Sequence, residues 1–172
     1  MSFRHQYPLD EHTFVEVIRE SDASNGGASS AEGASAVHWQ PRVEFHLHAR
    51  DASTGTDGSY VEVARMMLRS LEPITPDFSA NDFVQHGLKS VQPGKGYAHK
   101  LHDFVVSHHK NFPFPVENIY STEPSIDNIY FVQRNQPRLY MSESAKMFWG
   151  KRVKAGKAEY IEALKRFRIK WE

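Results

Sequence analysis

The chain has no cysteine and no apolar run long enough to cross a bilayer. Without cysteine it forms no disulfide, no thiolate metal site and no thiol nucleophile. The first residues also lack the apolar segment of a signal peptide. Together these absences predict a cytoplasmic protein that does not associate with membranes, since chains without disulfides suit reducing compartments.

Net charge is also lacking, because 21 basic residues balance 21 acidic residues. The balance hides a division: residues 1–82 carry 6 Lys/Arg and 13 Asp/Glu, whereas residues 83–172 carry 15 and 8. A basic half is typical of proteins that bind a polyanion, either a phosphorylated cofactor or a nucleic acid. The alternative is that the two halves attract each other inside one domain. The length and apolar content indicate a single domain over 1–172.

The first part of the chain predicts a strand, a helix and a long loop. Residues 2–7 predict an edge strand that ends at Pro8. Small polar residues from Ser21 to Ala36 predict a flexible loop at about 21–37, because they bury too little surface to offset ordering entropy. Four apolar residues at helical spacing predict an amphipathic helix over 10–20: Leu9, Phe14, Val17 and Ile18.

Alternating apolar and polar residues then predict a hairpin of two strands, over 43–49 and 60–68. Its far end, at Met66–Leu68, is equally compatible with the start of a helix. The prolines within 72–81 indicate a loop.

In the second half, residues 83–91 predict a strand that leads into a turn at Gly94 and Gly96. A helix is predicted from Tyr97 to Lys110, followed by short strands over 116–122 and 129–132. A second helix begins after Ser142, which is a good N-cap. The alternation of 167–171 predicts a final strand, while 158–164 is ambiguous.

The glycine turn favours an anion site. Glycines allow positive φ and a close approach of ligand to backbone N–H groups. The helix start that follows has unsatisfied N–H donors and the positive end of the helix dipole. We therefore interpret Val91–Ala98 as a pyrophosphate cradle, with an ordinary strand–turn–helix connection as the alternative.

Two motifs in this order resemble the GNAT superfamily of acyl-CoA N-acyltransferases. The segment Gly94-Lys95-Gly96-Tyr97-Ala98 is similar to the family's pyrophosphate loop, Gln/Arg-x-x-Gly-x-Gly/Ala. It departs from it at Pro93, which stands where Gln or Arg is expected, with Gln92 one residue early. The segment Ser142-x-x-Ala145-x-x-Phe148-Trp149 is similar to the family's later helix, Asn-x-x-Ala-x-x-Phe-Tyr, which lies beside the pantetheine arm.

The resemblance implies an α+β (α/β) fold with a GNAT-like mixed, mostly antiparallel central sheet flanked by helices. It implies acetyl-CoA or another acyl-CoA as cofactor, and transfer of the acyl group to an amine of a small molecule or a protein. The implied cofactor-binding residues are Gln92, Gly94, Lys95, Gly96, Tyr97, Ala98, Ser142, Ala145, Phe148 and Trp149. Lys95 and Lys100 would add positive charge beside the pyrophosphate.

The sequence indicates the catalytic residues less clearly than the cofactor-binding residues. Many family members use the tyrosine of the later helix to protonate the leaving thiolate, and here Trp149, a very poor proton donor, occupies that position. Tyr140 is our candidate for this acid, because a phenol can serve as one. His86 and Glu123 are candidates for the base that deprotonates the amine, and two hairpin histidines are further ones: His46 and His48.

The sequence is also compatible with other interpretations. The segment 146–170 mixes nine Lys/Arg with aromatic residues, which predicts either nucleic-acid binding by an inactive GNAT-like module or a solvated surface. The pairs His46-x-His48 and His99-x-x-His102 each supply half of a metal site without a carboxylate motif beside them, so we assign no metal. The acceptor, the acyl chain and the oligomeric state are not encoded in any motif.

Overall fold

The computed structural model describes residues 2–20, 42–51, 58–70, 78–79, 81–122 and 141–171. Its strands and helices are β1 (Phe3–Asp10), β2 (Thr13–Glu20), β3 (Arg42–Arg50), β4 (Tyr60–Ser70), β5 (Asp82–Ser90), α1 (Tyr97–His108), β6 (Asn118–Ser121), α2 (Glu143–Lys154), β7 (Ala158–Ile161) and β8 (Arg166–Ile169). The described residues form a mixed α+β fold with one eight-stranded sheet, in the order β1-β2-β3-β4-β5-β6-β8-β7. Only β5 and β6 pair in parallel; every other pairing is antiparallel.

The helix predicted over 10–20 is wrong, because this segment forms β2. Its sequence TFVEVIRE also alternates, and Val15 and Val17 point inward with no exposed surface. Pairing with β1 on one side and β3 on the other satisfies the backbone that a helix would have satisfied internally. The edge strand predicted at the N-terminus is confirmed as β1, at one edge of the sheet.

The predicted hairpin is confirmed as β3 and β4, and the segment 66–68 continues the strand rather than starting a helix. Inward residues of β3 and β4 alternate along the strands and are fully buried: Val43, Phe45, Leu47, Ala64, Met66 and Leu68. Helix α1 packs across β3, β4 and β5 and adds Leu101, Phe104 and Val105 to the same core.

The elements of the second half also agree closely with those predicted from the sequence. The strand predicted over 83–91 is β5, and the helix after the glycine turn is α1, which passes into a short 3₁₀ turn at His109–Asn111. Helix α2 begins as predicted at Ser142, whose side chain accepts from the Ala145 N–H at 3.2 Å. The ambiguous segment 158–164 is β7 followed by the 3₁₀ turn Glu162–Leu164.

Three predictions fall wholly or mostly outside the described residues: the loop at about 21–37, the strand over 129–132 and the loop over 72–81. Of the helices that are described, none has the length and apolar character needed to cross a membrane.

Candidate functional site

The predicted cradle is an exposed turn between β5 and α1. Gly94 and Gly96 have φ angles of 82° and 73°, in the left-handed region that side chains disfavour. A Cβ at either position would meet no atom within 4 Å, so the backbone angle rather than lack of space requires glycine. The turn is anchored to β4 by the Val91 N–H, which donates to the Val63 carbonyl at 2.9 Å. Open space therefore lies beside a backbone that is held in place.

The first turn of α1 presents donors to this space. The first helical hydrogen bond runs from the Lys100 N–H to the Gly96 carbonyl at 2.9 Å, so the amides of Tyr97, Ala98 and His99 precede the helical ladder. Gly96 is the N-cap and offers no side chain to these amides, and the first turn has no acidic residue. The helix start is thus electrostatically suited to an anion.

The two cradle lysines have different surroundings. The Lys100 Nζ donates to Asp10 Oδ2 at 2.7 Å and to Thr13 Oγ1 at 2.9 Å, so its charge is already neutralised by the β1–β2 turn. Hydrogen bonds from Lys100, Thr13 and the His12 amide hold the pKa of Asp10 well below its ordinary value. In this structure Lys100 therefore pairs with the β1–β2 turn, whereas Lys95 is exposed in the turn between β5 and α1. The contact also joins the acidic and basic halves, as the intramolecular alternative predicted.

Strand β5 extends beyond its pairing with β6 in the described part of the chain. Their parallel ladder covers only Asp82–Gln85 on β5 and Asn118–Ser121 on β6. The β4–β5 ladder continues to Ser90, so among the described residues Gly87–Ser90 pair with β4 alone. A bulge lies near the end of this ladder: Gly87 pairs with Met67 and Gln85 with Leu68, so His86 is an extra residue on β5. Such bulges bend and twist a strand.

Sequence reasoning missed Gln85, which lies at the end of the described parallel ladder. It forms the last rung of the parallel ladder with Ser121 and is only 8% exposed. Its Oε1 is buried and has no hydrogen-bond partner in the described part of the chain. The available signal was the sequence Phe83-Val84-Gln85, in which a glutamine occupies an inward strand position that otherwise calls for an apolar residue.

Helix α2 lies against the helix that carries the cradle, so the structure brings the two motifs together. The Phe148 ring stacks on His99 of the first turn of α1, with centroids 4.7 Å apart. Trp149 is 1% exposed, meets His102 edge-on at 5.3 Å and stacks on Phe167 of β8 at 5.8 Å. Trp149 is therefore a core residue.

An ion pair between a buried guanidinium and a half-exposed carboxylate joins α1 to α2. Arg152 is 2% exposed, and its Nη1 donates to Asp103 Oδ1 at 2.6 Å, while the Lys157 Nζ donates to the same oxygen at 3.0 Å. The Arg152 Nε and Nη2 atoms have no partner within the described ranges. Neighbouring His102 is fully buried, and neither of its ring nitrogens has a hydrogen-bond partner within the described ranges. Burial, reinforced by Arg152, lowers the pKa of His102 to about 3, so its ring is neutral.

Of the acid and base candidates, His86 lies in the bulge of β5. Burial, with the charges of Arg69 and Arg166, lowers the pKa of His86 to about 4. The imidazole is therefore neutral at pH 7. Tyr140 and Glu123 lie outside the described residues.

The hairpin histidines lie on the opposite, outer face of the sheet. His46 is held between two carboxylates, with Nε2 at 2.8 Å from Glu44 and Nδ1 at 2.7 Å from Glu62. His48 stacks on Phe14 with ring centroids 4.7 Å apart. Both imidazoles are thus engaged in contacts of the outer face. No three histidine or carboxylate side chains converge as metal ligands anywhere in the described ranges.

The basic segment is largely occupied by internal contacts. Arg152 and Arg166 are buried, with the Arg166 Nη1 donating to the Ser121 carbonyl at 3.0 Å. Three more cations form ion pairs with Asp103, Glu159 and Glu143: Lys157, Arg168 and Lys146. Four exposed lysines remain: Lys151, Lys154, Lys165 and Lys170. The structure therefore leaves fewer cations for nucleic acid than the sequence predicts.

A shallow groove of about 420 Å³ lies far from the cradle, at the other end of α1. It is lined by His109, Lys110 and the segment 112–117. Trp171 closes one side, stacking on His109 at 4.0 Å and donating from its indole to the Glu117 carbonyl at 2.6 Å. None of the predicted site residues lies in this groove.

No protein-family model matches the chain, and neither a curated protein nor a solved structure does. The geometry of the described residues is therefore the basis for a functional proposal.

Proposed function

We propose that this protein is an acyl-CoA-dependent N-acyltransferase of the GNAT type, which transfers an acetyl or related acyl group to an amine. The observation that carries the proposal is the junction of β5 and α1. A glycine turn leads into a helix start whose first amides lie outside the helical ladder, and it follows a strand whose described pairing with β6 ends at Gln85. We also propose a GNAT-like arrangement of the sheet and a cytoplasmic location, where acyl-CoA would be at hand.

The cradle would suit the pyrophosphate of such a cofactor, and the segment Gly87–Ser90 of β5 would suit its pantetheine arm. The pyrophosphate would accept hydrogen bonds from the amides of Tyr97, Ala98 and His99. The pantetheine arm, which carries two amides, would run along Gly87–Ser90 and pair with strand edges as an added strand does. The contact between Phe148 and His99 supports a role for α2 in holding the helix start in place.

The reaction we propose is acyl transfer from sulfur to nitrogen. The amine nitrogen attacks the thioester carbon, and the carbonyl electrons move to oxygen, where backbone N–H groups of β5 would stabilise them. The intermediate then collapses, the C–S bond breaks, and the sulfur leaves as CoA thiolate. The proton lost by the amine would pass to His86, directly or through water. A donor such as Tyr140 would protonate the thiolate, because Trp149 is buried in the core.

Calorimetry with CoA and acetyl-CoA tests the proposal, and the chain supplies a matched pair of variants. Gly96 and Gly156 have nearly the same φ, 73° and 72°, and open space around both. Gly96→Ala introduces its strain at the cradle, whereas Gly156→Ala introduces it after α2. We expect wild-type protein and Gly156→Ala to bind CoA alike and Gly96→Ala to bind about 10-fold more weakly, because a Cβ obstructs close approach to the amides. Wild-type protein that fails to bind either ligand at millimolar concentration would refute the proposal.

A second candidate is a module with this fold that binds acyl-CoA or nucleic acid without catalysis. The burial of Trp149 favours it, because the position where the family has its acid cannot protonate a ligand here. Four exposed lysines, Lys151, Lys154, Lys165 and Lys170, remain for a polyanion. A filter-binding titration against salt separates the candidates: nucleic-acid retention that falls steeply with salt supports the module, and no retention at low salt excludes that role.

A further inference from the structure

The groove at the far end of α1 has no part in the proposed acyl-CoA site. Helix α1 separates it from the cradle by roughly 17 Å, at 1.5 Å per residue. Its volume of about 420 Å³ is in the range of sites that hold one small molecule. Three of the residues that line it, Pro113, Pro115 and Glu117, are exposed, so a ligand reaches it directly from solvent.

Aromatic and proline rings line the middle of the groove. Phe112 and Phe114 stack with centroids 5.4 Å apart and are 7% and 3% exposed. Pro113 and Pro115 alternate with them and are exposed. Proline has no N–H, so this segment cannot donate to an incoming β-strand at those positions. A ligand here therefore meets apolar ring surface rather than a row of backbone donors.

One wall of the groove is held in place by contacts with Trp171. The wall residue His109 donates from Nδ1 to the Val106 carbonyl at 2.7 Å, and its ring stacks on Trp171 with centroids 4.0 Å apart. The Trp171 indole donates in turn to the Glu117 carbonyl at 2.6 Å. These contacts fix the wall before a ligand arrives, which lowers the ordering cost of binding.

The charged side chains that line the groove favour an anion. Lys110 is exposed and forms no hydrogen bond or ion pair with the described residues, so its ammonium donors are available. The Glu117 carboxylate is already engaged, because it accepts from Ser79 Oγ at 2.6 Å and from Asn81 Nδ2 at 3.0 Å. These bonds lower the pKa of Glu117, so this group is ionised but both of its oxygens are occupied.

A second cation lies beside the groove. The Arg19 guanidinium carbon is 5.1 Å from the centroid of the Phe114 ring, and Arg19 forms no ion pair within the described ranges. A cation over a ring face is held there without losing its charge. Arg19 and Lys110 therefore make the potential around the groove positive, which attracts anions.

We propose that this groove binds a small aromatic acid, whose rings lie on the phenylalanine and proline surface and whose acid group pairs with Lys110. The inference is independent of the proposed acyl-CoA site. A protein partner is a poorer fit, because eight residues line the groove, whereas a stable protein interface takes about 20–30 residues a side. An uncharged aromatic compound would leave the Lys110 ammonium without a partner.

Fluorescence titration with anilinonaphthalene sulfonate and with phenylnaphthylamine tests the proposal, because the two probes share their ring system and only the first is an anion. Wild-type protein should bind one molecule of the sulfonate, about 5-fold more tightly than the uncharged probe, as expected for one exposed ion pair. Lys110→Met keeps the apolar stem and should remove this preference, and Lys110→Glu should reverse it. Lys154→Met, at an exposed lysine of α2, is the matched control and should keep the preference.

The indole N–H resonance of Trp171, assigned with Trp171→Phe, reports where the probe binds. It should shift on addition of the sulfonate, because this N–H donates to Glu117 at the edge of the groove. Wild-type protein that binds neither probe would overturn the inference. Equal affinities for the two probes, a preference that Lys110→Met leaves intact, or a Trp171 resonance that does not move at saturation would overturn it as well.

Discussion

The strands β2–β4 and the region of β5, α1 and α2 differ in their buried inward side chains. The central inward positions of β2, β3 and β4 are aliphatic or aromatic and have no exposed surface, as at Val17, Phe45 and Met66. In β5, α1 and α2 the buried set includes Gln85, His102 and Arg152, each with polar atoms that lack a partner within the described ranges. Apolar packing stabilises the inner face of the first region, whereas the second contains inward polar groups that weaken the fold. This difference favours the β5–α1–α2 side for the proposed site.

If β2–β4 form the stabilising core, truncation there should have a severe effect. Phe45→Ala removes a fully buried ring and should cost about 4 kcal/mol of unfolding free energy, as large-to-small core changes do. Urea denaturation followed by circular dichroism measures it. Val61→Ala, at a side chain that is 39% exposed, is the control and should change little. Similar losses in both variants would contradict the assignment of the core.

The ion pair between α1 and α2 should be the next most sensitive. Asp103→Asn leaves the buried Arg152 without its counter-charge and should cost about 2 kcal/mol, less than in a fully buried pair because the Asp103 side chain is 44% exposed. Glu143→Gln breaks an exposed pair with Lys146 and should change the unfolding free energy by less than about 0.5 kcal/mol. Equal effects of the two variants in urea denaturation would show that Arg152 has another partner.

The buried histidine should make stability depend on pH. The pKa of His102 is about 3 in the folded protein and near 6.5 in the unfolded chain. Between these values the unfolded chain binds more protons, so stability falls as pH is lowered. From pH 7 to pH 5 wild-type protein should lose about 2 kcal/mol through His102, and His102→Leu should escape this part. His86, with a pKa of about 4, acts in the same direction and remains in the variant.

At pH 7 the same variant reports on the unpaired ring nitrogens. His102→Leu should raise the unfolding free energy by about 1 kcal/mol, because it removes a buried polar group without partners. Urea denaturation at both pH values measures the two effects together. A variant that is less stable at pH 7, with unaltered pH dependence, would mean that the ring is hydrogen-bonded in solution.

The smallest stability effect is expected at the cradle. Gly96→Ala and Gly156→Ala should each cost about 1 kcal/mol, since both place a Cβ on a left-handed backbone. Thermal unfolding should therefore not distinguish them, although only Gly96→Ala weakens CoA binding. A much larger loss at Gly96 would assign the turn to stability rather than to ligand binding.

Sequence patterns were sufficient where structure is local. The Ser142 cap, the glycine turn and the hairpin of β3 and β4 follow from residues that are close in the chain. Sequence patterns failed at residues 10–20, because the apolar residues there fit both helical and strand spacing. Pairing with β1 and β3 decides in favour of the strand. The partner of Lys100 was equally inaccessible, because Asp10 lies 90 residues away.

Only the local features of the candidate site were predicted, again because sequence patterns report on residues that are close in the chain. The cradle glycines carry their own conformational signal, whereas the burial of Trp149 depends on His102 and Phe167 from other elements. The position of Gln85 could not be predicted, because it depends on pairing with Ser121 at the end of the parallel ladder. Proximity of the two motifs through His99 and Phe148 is likewise a property of packing, not of spacing.

A crystal structure of the complex with CoA tests the central claim most directly. It should place the pyrophosphate on the amides at the start of α1 and the pantetheine arm along Gly87–Ser90 of β5. An arm that lies elsewhere, such as in the groove lined by His109 and the segment 112–117, would contradict the account. So would a cradle left empty at saturating ligand.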